Sequence, residues 1–547
     1  MHIINYLAPV RPESRVWRVL CNGLVQYAAA TMAATAVLIV FFPGNRFLPV
    51  PWQHDDYYFL AAPNHFHNGF GVDFLHTRPV STNVLWLVGM LGESHCYIAM
   101  LLAAALIPVL SVHLALRLFG CRPGRWNVIG LAAGVSACTF LFEDSLWFYH
   151  YMGLVTNLTS VILGLLSAYS FSIWFDGRRI GFVAGSLLFL ASAFAKEDML
   201  LFVPLFAATE WSIRRWHAVN RLPVSRLASV FGAVALTGGL LFTWNRWVVP
   251  SPFTGNQSDA YRLSFSMSHM VRQFWNYIAA THLSKMAFVV LIAAGLIGVL
   301  RPQRRLAAIA MIPLIVALIL PYAVLPRFFA YYSLNWFSLV VSLSVVCIAT
   351  NCREWYPSRF ASTIWLAPVA ILVAIFAMSP TSARSRHYLT AWLNVHQEQN
   401  QYVLEQLLHH RDELAGADTI AVRGADEFYS PWLLSNGAYL NMKIGHKVHW
   451  LFVVKPRSLA AQFVNSGALP PGDVAVVLEK NLLFHACDAV LSFDNNLNMS
   501  VQTASQQPPI DVDAQDDLRY FSPSNRLPLR REANAQEAVS RENAKLR

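Results

Sequence analysis

Two adjacent carboxylates, Asp55 and Asp56, lie in a polar stretch that follows the first long apolar run of the chain. A carboxylate can accept a proton from an attacking group, and Arg78, shortly downstream, can bind an anion. If the segment around the pair is helical, the two side chains point about 100° apart, so only one can face a given substrate. The pair therefore predicts one general base and one structural carboxylate, unless both aspartates are ordinary residues of a polar loop.

The elements that must position these residues are membrane helices. Hydrophobic residues make up 55% and charged residues 13% of the 547 residues, and the mean hydropathy is +0.41. Soluble domains carry about 25% charged residues, so most of this chain is expected to lie in lipid. Apolar runs of about 18 residues or more recur through the first two thirds and can cross a bilayer as helices. The first run lacks a small-residue cleavage site, which favours a retained helix over a signal peptide.

Hydropathy and the distribution of arginines together predict about eleven membrane spans. Their approximate bounds are 19–42, 95–119, 127–142, 152–175, 180–195, 199–213, 227–249, 286–300, 306–324, 333–350 and 361–378. With the N-terminus in the cytoplasm, the arginine-rich connections between spans all fall on the cytoplasmic side. The net charge of +10 is therefore interpreted as a topology signal, and no nucleic-acid partner is expected, because the arginines are not gathered on one face.

The opposite, outer face then receives the remaining connections. They are a first loop of about 43–94, the acidic turn at Glu143 and Asp144, the turn Lys196-Glu197-Asp198, a loop of about 250–285, and the turn around Arg327. Within the first loop, the segment Val80–Leu91 is too short to span comfortably and predicts an amphipathic helix along the membrane interface.

From Ser379 onward the composition changes to that of a soluble domain. A helix over about 388–414 is predicted, followed by strands with helix-like stretches between them. The predicted strands are Thr419–Val422, Val448–Val454, Val474–Leu478 and Ala489–Phe493. The predicted fold class is thus an α-helical polytopic membrane protein with a small C-terminal α/β domain outside the membrane. The predicted divisions are 1–380 in the membrane, 381–500 as the α/β domain, and 501–547 as a disordered tail.

The order of the charged motifs on the outer face resembles the GT-C superfamily of membrane glycosyltransferases, which includes protein O-mannosyltransferases and lipid A aminoarabinose transferases. The motifs are His54-Asp55-Asp56-Tyr57, Thr77-Arg78-Pro79, Glu143-Asp144, Ala195-Lys196-Glu197, and Leu325-Pro326-Arg327 leading to Tyr331-Tyr332. The resemblance covers about residues 1–380, whereas the C-terminal domain resembles no family that we can name. It implies a multi-pass protein of the bacterial inner membrane, with its C-terminal domain in the periplasm or outside the cell.

The resemblance also implies a reaction. A sugar would move from a polyprenyl-phosphate donor to a hydroxyl of a glycan, lipid or protein acceptor, with inversion at the anomeric carbon. Asp55 or Asp56 would be the general base, and Arg78, Lys196 and Arg327 would bind the donor phosphate. Substrate contacts would come from a further set of polar residues: His54, Tyr57, Glu143, Asp144, Glu197, Tyr331 and Tyr332.

No cofactor is expected, although the first outer loop contains several histidines. Imidazole groups at short spacing can bind zinc, and His54, His65, His67 and His76 are the candidates. A monophosphate donor has no diphosphate to neutralise, so no metal is predicted and these histidines are interpreted as polar loop or acceptor-site groups.

Several alternatives remain open on the sequence. Lysines and arginines at helix ends snorkel to the interface, acidic residues cap helices, and tyrosines form aromatic belts. The main rival from another class is a transporter or flippase of a lipid-linked glycan, which would place ionisable residues near the bilayer midplane. An O-antigen ligase or polymerase would use a lipid diphosphate and arginines of a late loop, here Arg262 and Arg272. A purely structural membrane protein leaves the polar first loop unexplained.

Overall fold

The structure is a computed structural model. It describes residues 29, 32–33, 79–89, 93–121, 123, 125–141, 155–216, 222–247, 264–279, 282–325, 334–353, 361–378, 405–423, 444–445, 448–454, 474–478, 487–493 and 498–503.

Before residue 380, each long segment that the structure describes is helical. The helices are α1 (Pro79–Gly89), α2 (Glu93–Leu118), α3 (Arg125–Leu141), α4 (Val155–Phe175), α5 (Arg179–Ala195), α6 (Phe202–Trp216), α7 (Val224–Trp247), α8 (Met267–Ala279), α9 (His282–Val299), α10 (Arg305–Ala323), α11 (Leu334–Cys352) and α12 (Ala361–Ala377).

Several of these helices can cross a membrane. Among the described residues, four helical stretches are long and apolar enough by length and composition: Thr156–Phe175, Val224–Trp244, His282–Val299 and Arg305–Ala323. Shorter apolar helices lie within α2, α3, α5, α11 and α12. Helices are the expected structure for such runs, because a backbone in lipid must satisfy its hydrogen bonds within the segment. These lengths and compositions are those of a multi-pass membrane protein.

Helices α4 and α5 form an extensively packed hairpin in the bundle. α4 ends in a Schellman motif, in which the Arg178 N–H bonds to the Ile173 carbonyl at 3.3 Å and the Gly177 N–H bonds to the Trp174 carbonyl at 2.9 Å. Gly177 has φ +96°, a left-handed conformation that favours glycine. The chain thereby reverses over a short turn, which lets the two helices pack along their lengths.

A network of charges joins three elements at the turn between α4 and α5. Arg117 of α2 and Arg214 of α6 each donate a hydrogen bond of 2.7 Å to a different carboxylate oxygen of Asp176. Arg214 also bonds to Glu210, whose Oε1 accepts a 2.6 Å hydrogen bond from Ser172 Oγ. Burial alone would raise the pKa of the Asp176 carboxyl, but the guanidinium groups of Arg117 and Arg214 hold that pKa below its ordinary value.

The C-terminal part contains a mixed sheet of β1 (Thr419–Arg423), β2 (His449–Val454), β3 (Val474–Leu478), β4 (Ala489–Phe493) and β5 (Met499–Thr503). The strand order is β3-β2-β1-β4-β5, with β5 antiparallel to β4 and every other neighbouring pair parallel. A short helix, α13 (Arg411–Leu414), precedes β1. The central strand β1 is buried along its middle, and parallel strands of this kind are covered on both faces.

The structure confirms a helical protein with apolar helices of membrane length and a small C-terminal mixed sheet. The helix predicted along the interface is present as α1, and the predicted strands correspond to β1 to β4 with shifts of at most one residue at their ends. Two elements were not predicted from the sequence. Helix α8 lies in what was interpreted as the loop 250–285, and β5 adds an antiparallel strand at the edge of the sheet.

Candidate functional site at the Lys196 turn

The turn between α5 and α6 carries three charged residues in a row, Lys196, Glu197 and Asp198. α5 ends at Ala195, and Lys196 then takes an extended conformation with φ −169° and ψ 153°. Its N–H still bonds to the Ser192 carbonyl at 2.9 Å, and a single 3-10 turn leads towards α6. Because the connection is so short, the charged residues stay between the end of α5 and the start of α6.

The Lys196 side chain points into the bundle, and the residue is only 7% exposed. Its ammonium group donates a hydrogen bond to Asn157 Oδ1 of α4 and lies 3.6 Å from Asp198 Oδ1. The centroid of the Tyr322 ring of α10 is 5.6 Å from Nζ, a distance typical of a cation–π contact. Lys196 is therefore held inside the bundle instead of snorkelling to its surface.

Burying this ion pair opposes folding. The side chains of Lys196 and Asp198 are 8% and 5% exposed. Removing an ion from water costs several kcal/mol, and that cost is offset only when the partner charge and further hydrogen bonds are well placed. Ionisable residues inside a membrane bundle are rare for this reason, and they mark functional sites more often than charges at the surface do.

Serine hydroxyls fix the backbone of the turn. Ser160 Oγ of α4 donates to the Lys196 carbonyl at 2.8 Å, and Ser192 Oγ of α5 donates to the Ser160 carbonyl at 2.8 Å. From α1, Ser81 Oγ donates to the Ala195 carbonyl. Because Ser81 lies in the first turn of α1, this bond places the beginning of α1 beside the Lys196 turn.

An apolar cavity of about 200 Å³ lies between α1, α2 and α4. Its lining comes from all three helices: Val84, Val88, Ala99, Ala103, Leu158, Thr159, Ile162 and Leu163. Leu158 and Thr159 directly follow Asn157, the residue that accepts a hydrogen bond from Lys196. Leu87 of α1 and Leu102 of α2 are 55% and 42% exposed. The residue that accepts a hydrogen bond from the buried cation and two residues that line the apolar cavity are thus consecutive in α4.

Two of the predicted site residues fall in the described part of the chain. Lys196 belongs to the buried cluster, and its neighbour Glu197 is exposed. The remaining predicted residues lie outside the described residues: His54, Asp55, Asp56, Tyr57, Arg78, Glu143, Asp144, Arg327, Tyr331 and Tyr332. Whether they converge on Lys196 stays a prediction. Of the arginines of the alternative late loop, Arg262 also lies outside the described residues, and Arg272 is exposed on α8.

Asn157, Tyr322 and Asp198 were not selected from the sequence as site residues. The sequence indicates Asp198 only as part of the charged turn, and it predicts no role for Asn157. The available signal is the one amide side chain in α4, since polar residues in membrane helices usually have a partner. Tyr322 carries no such signal, because a tyrosine near the end of a membrane helix is expected as part of an aromatic belt.

Comparison of the chain with protein-family models, with curated proteins and with solved structures gives no match. The function of the chain must therefore be inferred from its own residues and their geometry.

Proposed function

We propose that the chain is a membrane glycosyltransferase of the GT-C type that transfers a sugar from a polyprenyl-phosphate donor to an acceptor hydroxyl. The observation that supports this proposal is the buried Lys196 cluster beside an apolar cavity. A polyprenyl-phosphate sugar is an amphiphile with an anionic group and a long apolar chain. The buried cation matches the anionic group, and the apolar cavity matches the chain. Lys196 would bind the phosphate, and the cavity between α1, α2 and α4 would hold part of the chain.

Lys196 would supply a fixed positive charge for the donor phosphate, held in place by its hydrogen bond to Asn157. The nearby Asp198 compensates the charge in the absence of donor. As the glycosidic bond breaks, negative charge grows on the leaving phosphate, so a fixed cation stabilises the transition state more than the ground state. Arg78 and Arg327 are proposed to complete the phosphate site.

The bond changes of the proposed reaction balance without a cofactor. The acceptor oxygen forms a bond to the anomeric carbon, and the bond between that carbon and the phosphate oxygen breaks. The acceptor proton moves to the carboxylate of Asp55 or Asp56, and polyprenyl phosphate leaves. Attack from the side opposite the phosphate inverts the anomeric carbon. His54, Tyr57, Glu143, Asp144, Glu197, Tyr331 and Tyr332 are proposed to contact the substrates.

The proposal includes the placement of the protein. About eleven spans in the bacterial inner membrane, a cytoplasmic N-terminus and an external C-terminal domain put the Lys196 turn on the outer face. Lipid-linked donors and acceptors of the cell envelope are used on that face.

Transfer of labelled sugar from a polyprenyl-phosphate donor tests the proposal in membranes that contain the full chain. Acceptors extracted from a deletion strain provide the substrate, because they lack the sugar that the protein adds. We expect transfer by the wild-type chain and a loss of at least about 100-fold in Asp55→Asn or Asp56→Asn, as is usual for removal of a general base. Lys285→Gln, at an exposed position of α9, is the control and should keep full transfer. Normal transfer in both aspartate variants would exclude the assigned base.

A flippase of a lipid-linked glycan is the second candidate, and the buried ion pair of Lys196 and Asp198 favours it. Transporters use such pairs inside their bundles as ion or proton relays. Movement of a fluorescent polyprenyl-linked glycan between leaflets of proteoliposomes, without any change of its covalent structure, would support this candidate over the glycosyltransferase.

A further inference from the structure

Helix α8 has a buried face and two exposed faces of different chemistry. Gln273 and Tyr277 belong to the buried face, which packs on the bundle. Met267, Val271 and Trp275 are 73%, 63% and 63% exposed. These three residues recur every four positions, so they form one apolar stripe along the helix.

The polar exposed face lies directly beside this stripe. Ser268 and Arg272 are exposed, and each follows a residue of the stripe by one position. One residue corresponds to a rotation of about 100° around a helix. α8 therefore presents protein-facing, apolar and polar surfaces in sequence around its axis, as a helix at a lipid–water boundary does.

Both ends of α8 lie at the same end of two membrane-length helices. Before α8, the Ser264 N–H bonds to the Val324 carbonyl at 2.8 Å, and His269 Nε2 lies 2.8 Å from the Leu325 carbonyl. Val324 and Leu325 directly follow α10, whereas α9 begins shortly after α8 ends, at His282. A short turn joins α9 to α10, so the start of α9 and the end of α10 lie at one end of this helix pair. α8 therefore packs at that end of the pair.

The helices on which α8 packs expose apolar side chains that must lie in lipid. On α9 and α10, Val289, Leu296 and Ile309 are 64%, 64% and 53% exposed. Large apolar side chains on membrane-length helices are covered by acyl chains. Leu296 and Ile309 lie near the turn between α9 and α10, and Val289 lies nearer the end at which α8 packs.

We propose that α8 is an interfacial helix that inserts Met267, Val271 and Trp275 into the headgroup and acyl boundary of the bilayer. Ser268 and Arg272 then face water and the lipid phosphates. Tryptophan favours this depth, and arginine there binds the anionic part of a phospholipid. This inference depends on the membrane-length helices α9 and α10 and not on the proposed enzymatic activity.

The inserted helix is directly linked to the candidate site. On its buried face, the Tyr277 ring lies 6.1 Å from the Tyr322 ring, measured between centroids. The same Tyr322 ring lies over the Lys196 ammonium. Two aromatic side chains, Tyr277 of α8 and Tyr322 of α10, therefore connect α8 to Lys196.

Spin labels on α8 test this placement in the full-length protein, reconstituted into nanodiscs of phosphatidylcholine and phosphatidylglycerol. Val271→Cys and Arg272→Cys are labelled separately in a chain whose native cysteines have been replaced by serine or alanine. Oxygen partitions into lipid and a nickel chelate stays in water, so relaxation by each reagent reports the surroundings of a label. We expect the ratio of oxygen to nickel accessibility to be several-fold higher at position 271 than at position 272.

Each other outcome overturns the proposal. Equal access of the nickel chelate to both labels would place the stripe in water. Protection of the label at 271 from both reagents would show that protein covers the stripe. Because a labelled residue could disturb α8, Ser268→Cys serves as a second polar-face position and should behave like position 272.

Discussion

The ammonium of Lys196 and the carboxylate of Asp198 are buried together, so a change at Lys196 has an effect on stability as well as on any reaction. Removing one partner of a buried pair leaves an uncompensated charge, whereas replacing both partners by apolar residues is often neutral for stability. This difference allows the two roles to be separated.

Lys196→Met alone should lower the free energy of unfolding by about 3–5 kcal/mol. Lys196→Met combined with Asp198→Leu should recover most of that loss, because no buried charge remains. Sugar transfer should be lost in both variants, since neither can bind the donor phosphate. Thermal unfolding in detergent and the transfer assay provide the two measurements. A stable double variant with normal transfer would show that Lys196 has only a structural role.

Asp176 provides a pH-dependent contribution to stability. Its folded-state pKa lies below the ordinary value of 3.8, so the carboxylate stabilises the fold above about pH 4, and this contribution disappears as the pH falls through the lowered pKa. Asp176→Asn should therefore cost about 1 kcal/mol at neutral pH, because solvent screens these partly exposed ion pairs. The difference from the wild type should shrink below pH 4. A difference that is constant from neutral pH down to strongly acidic conditions would contradict this role.

Sequence reasoning at the residue scale identified Lys196 but not its partners. A charged residue in an otherwise apolar part of the chain can be seen directly in the sequence. The short turn between α5 and α6 keeps Lys196 at a helix end. Asn157 and Tyr322 are 39 and 126 positions away from Lys196 in the chain, and they contact it only because α4 and α10 pack against the turn. Such contacts follow from the packing of whole helices, which the local pattern does not specify.

At the scale of elements, the α4–α5 hairpin depends on a close approach of two backbones. Gly181 of α5 lies so near α4 that a Cβ atom there would come within 2.6 Å of the Ser170 carbonyl oxygen and 2.5 Å of the Trp174 nitrogen. Backbone atoms cannot move aside as a flexible side chain can, so the helices would have to separate.

Gly181→Ala should destabilise the protein by about 1–3 kcal/mol, the usual cost of overpacking. Gly232→Ala in α7 is the matched control, because a Cβ there meets nothing within 4 Å. Alanine favours a helix over glycine by about 1 kcal/mol, so the control should be neutral or slightly stabilising. Thermal unfolding of both variants in the same detergent gives the comparison. Equal behaviour of the two variants would mean that the α4–α5 contact is looser than described.

Elements with a continuous apolar run were predictable, and others were not. The strands β1 to β4 contain short runs of apolar and β-branched residues, and apolar length marked α4, α7, α9 and α10. α8 mixes apolar and polar residues, and its apolar face is split between the bundle and an exposed stripe. Its mean composition therefore resembles that of a loop. β5 is an edge strand of five residues that runs directly into the polar C-terminal tail, which weakened its signal.

For the whole molecule, the predicted orientation places the Lys196 turn outside and the Asp176 network inside the cell. An alkaline phosphatase fusion after Gln397 should be active, because that enzyme folds only outside the cytoplasm. An alkaline phosphatase fusion after Trp216, at the end of α6, should be inactive. A reporter that works only in the cytoplasm should be active at the same position. The reverse pattern would invert the orientation of every span and place the Lys196 turn in the cytoplasm.

The Asp176 network also has a consequence for the order in which the protein is made. Asp176 follows Arg117 by 59 positions and precedes Arg214 by 38 positions. At about 5–20 residues per second, those 38 positions take about 2–8 s to synthesise. During that interval the carboxylate has Arg117 but not Arg214, so the network closes only when α6 has joined the hairpin. We expect chains interrupted before α6 to keep the Asp176 carboxylate incompletely paired, which makes the first half of the bundle vulnerable to membrane proteases until Arg214 has joined the network.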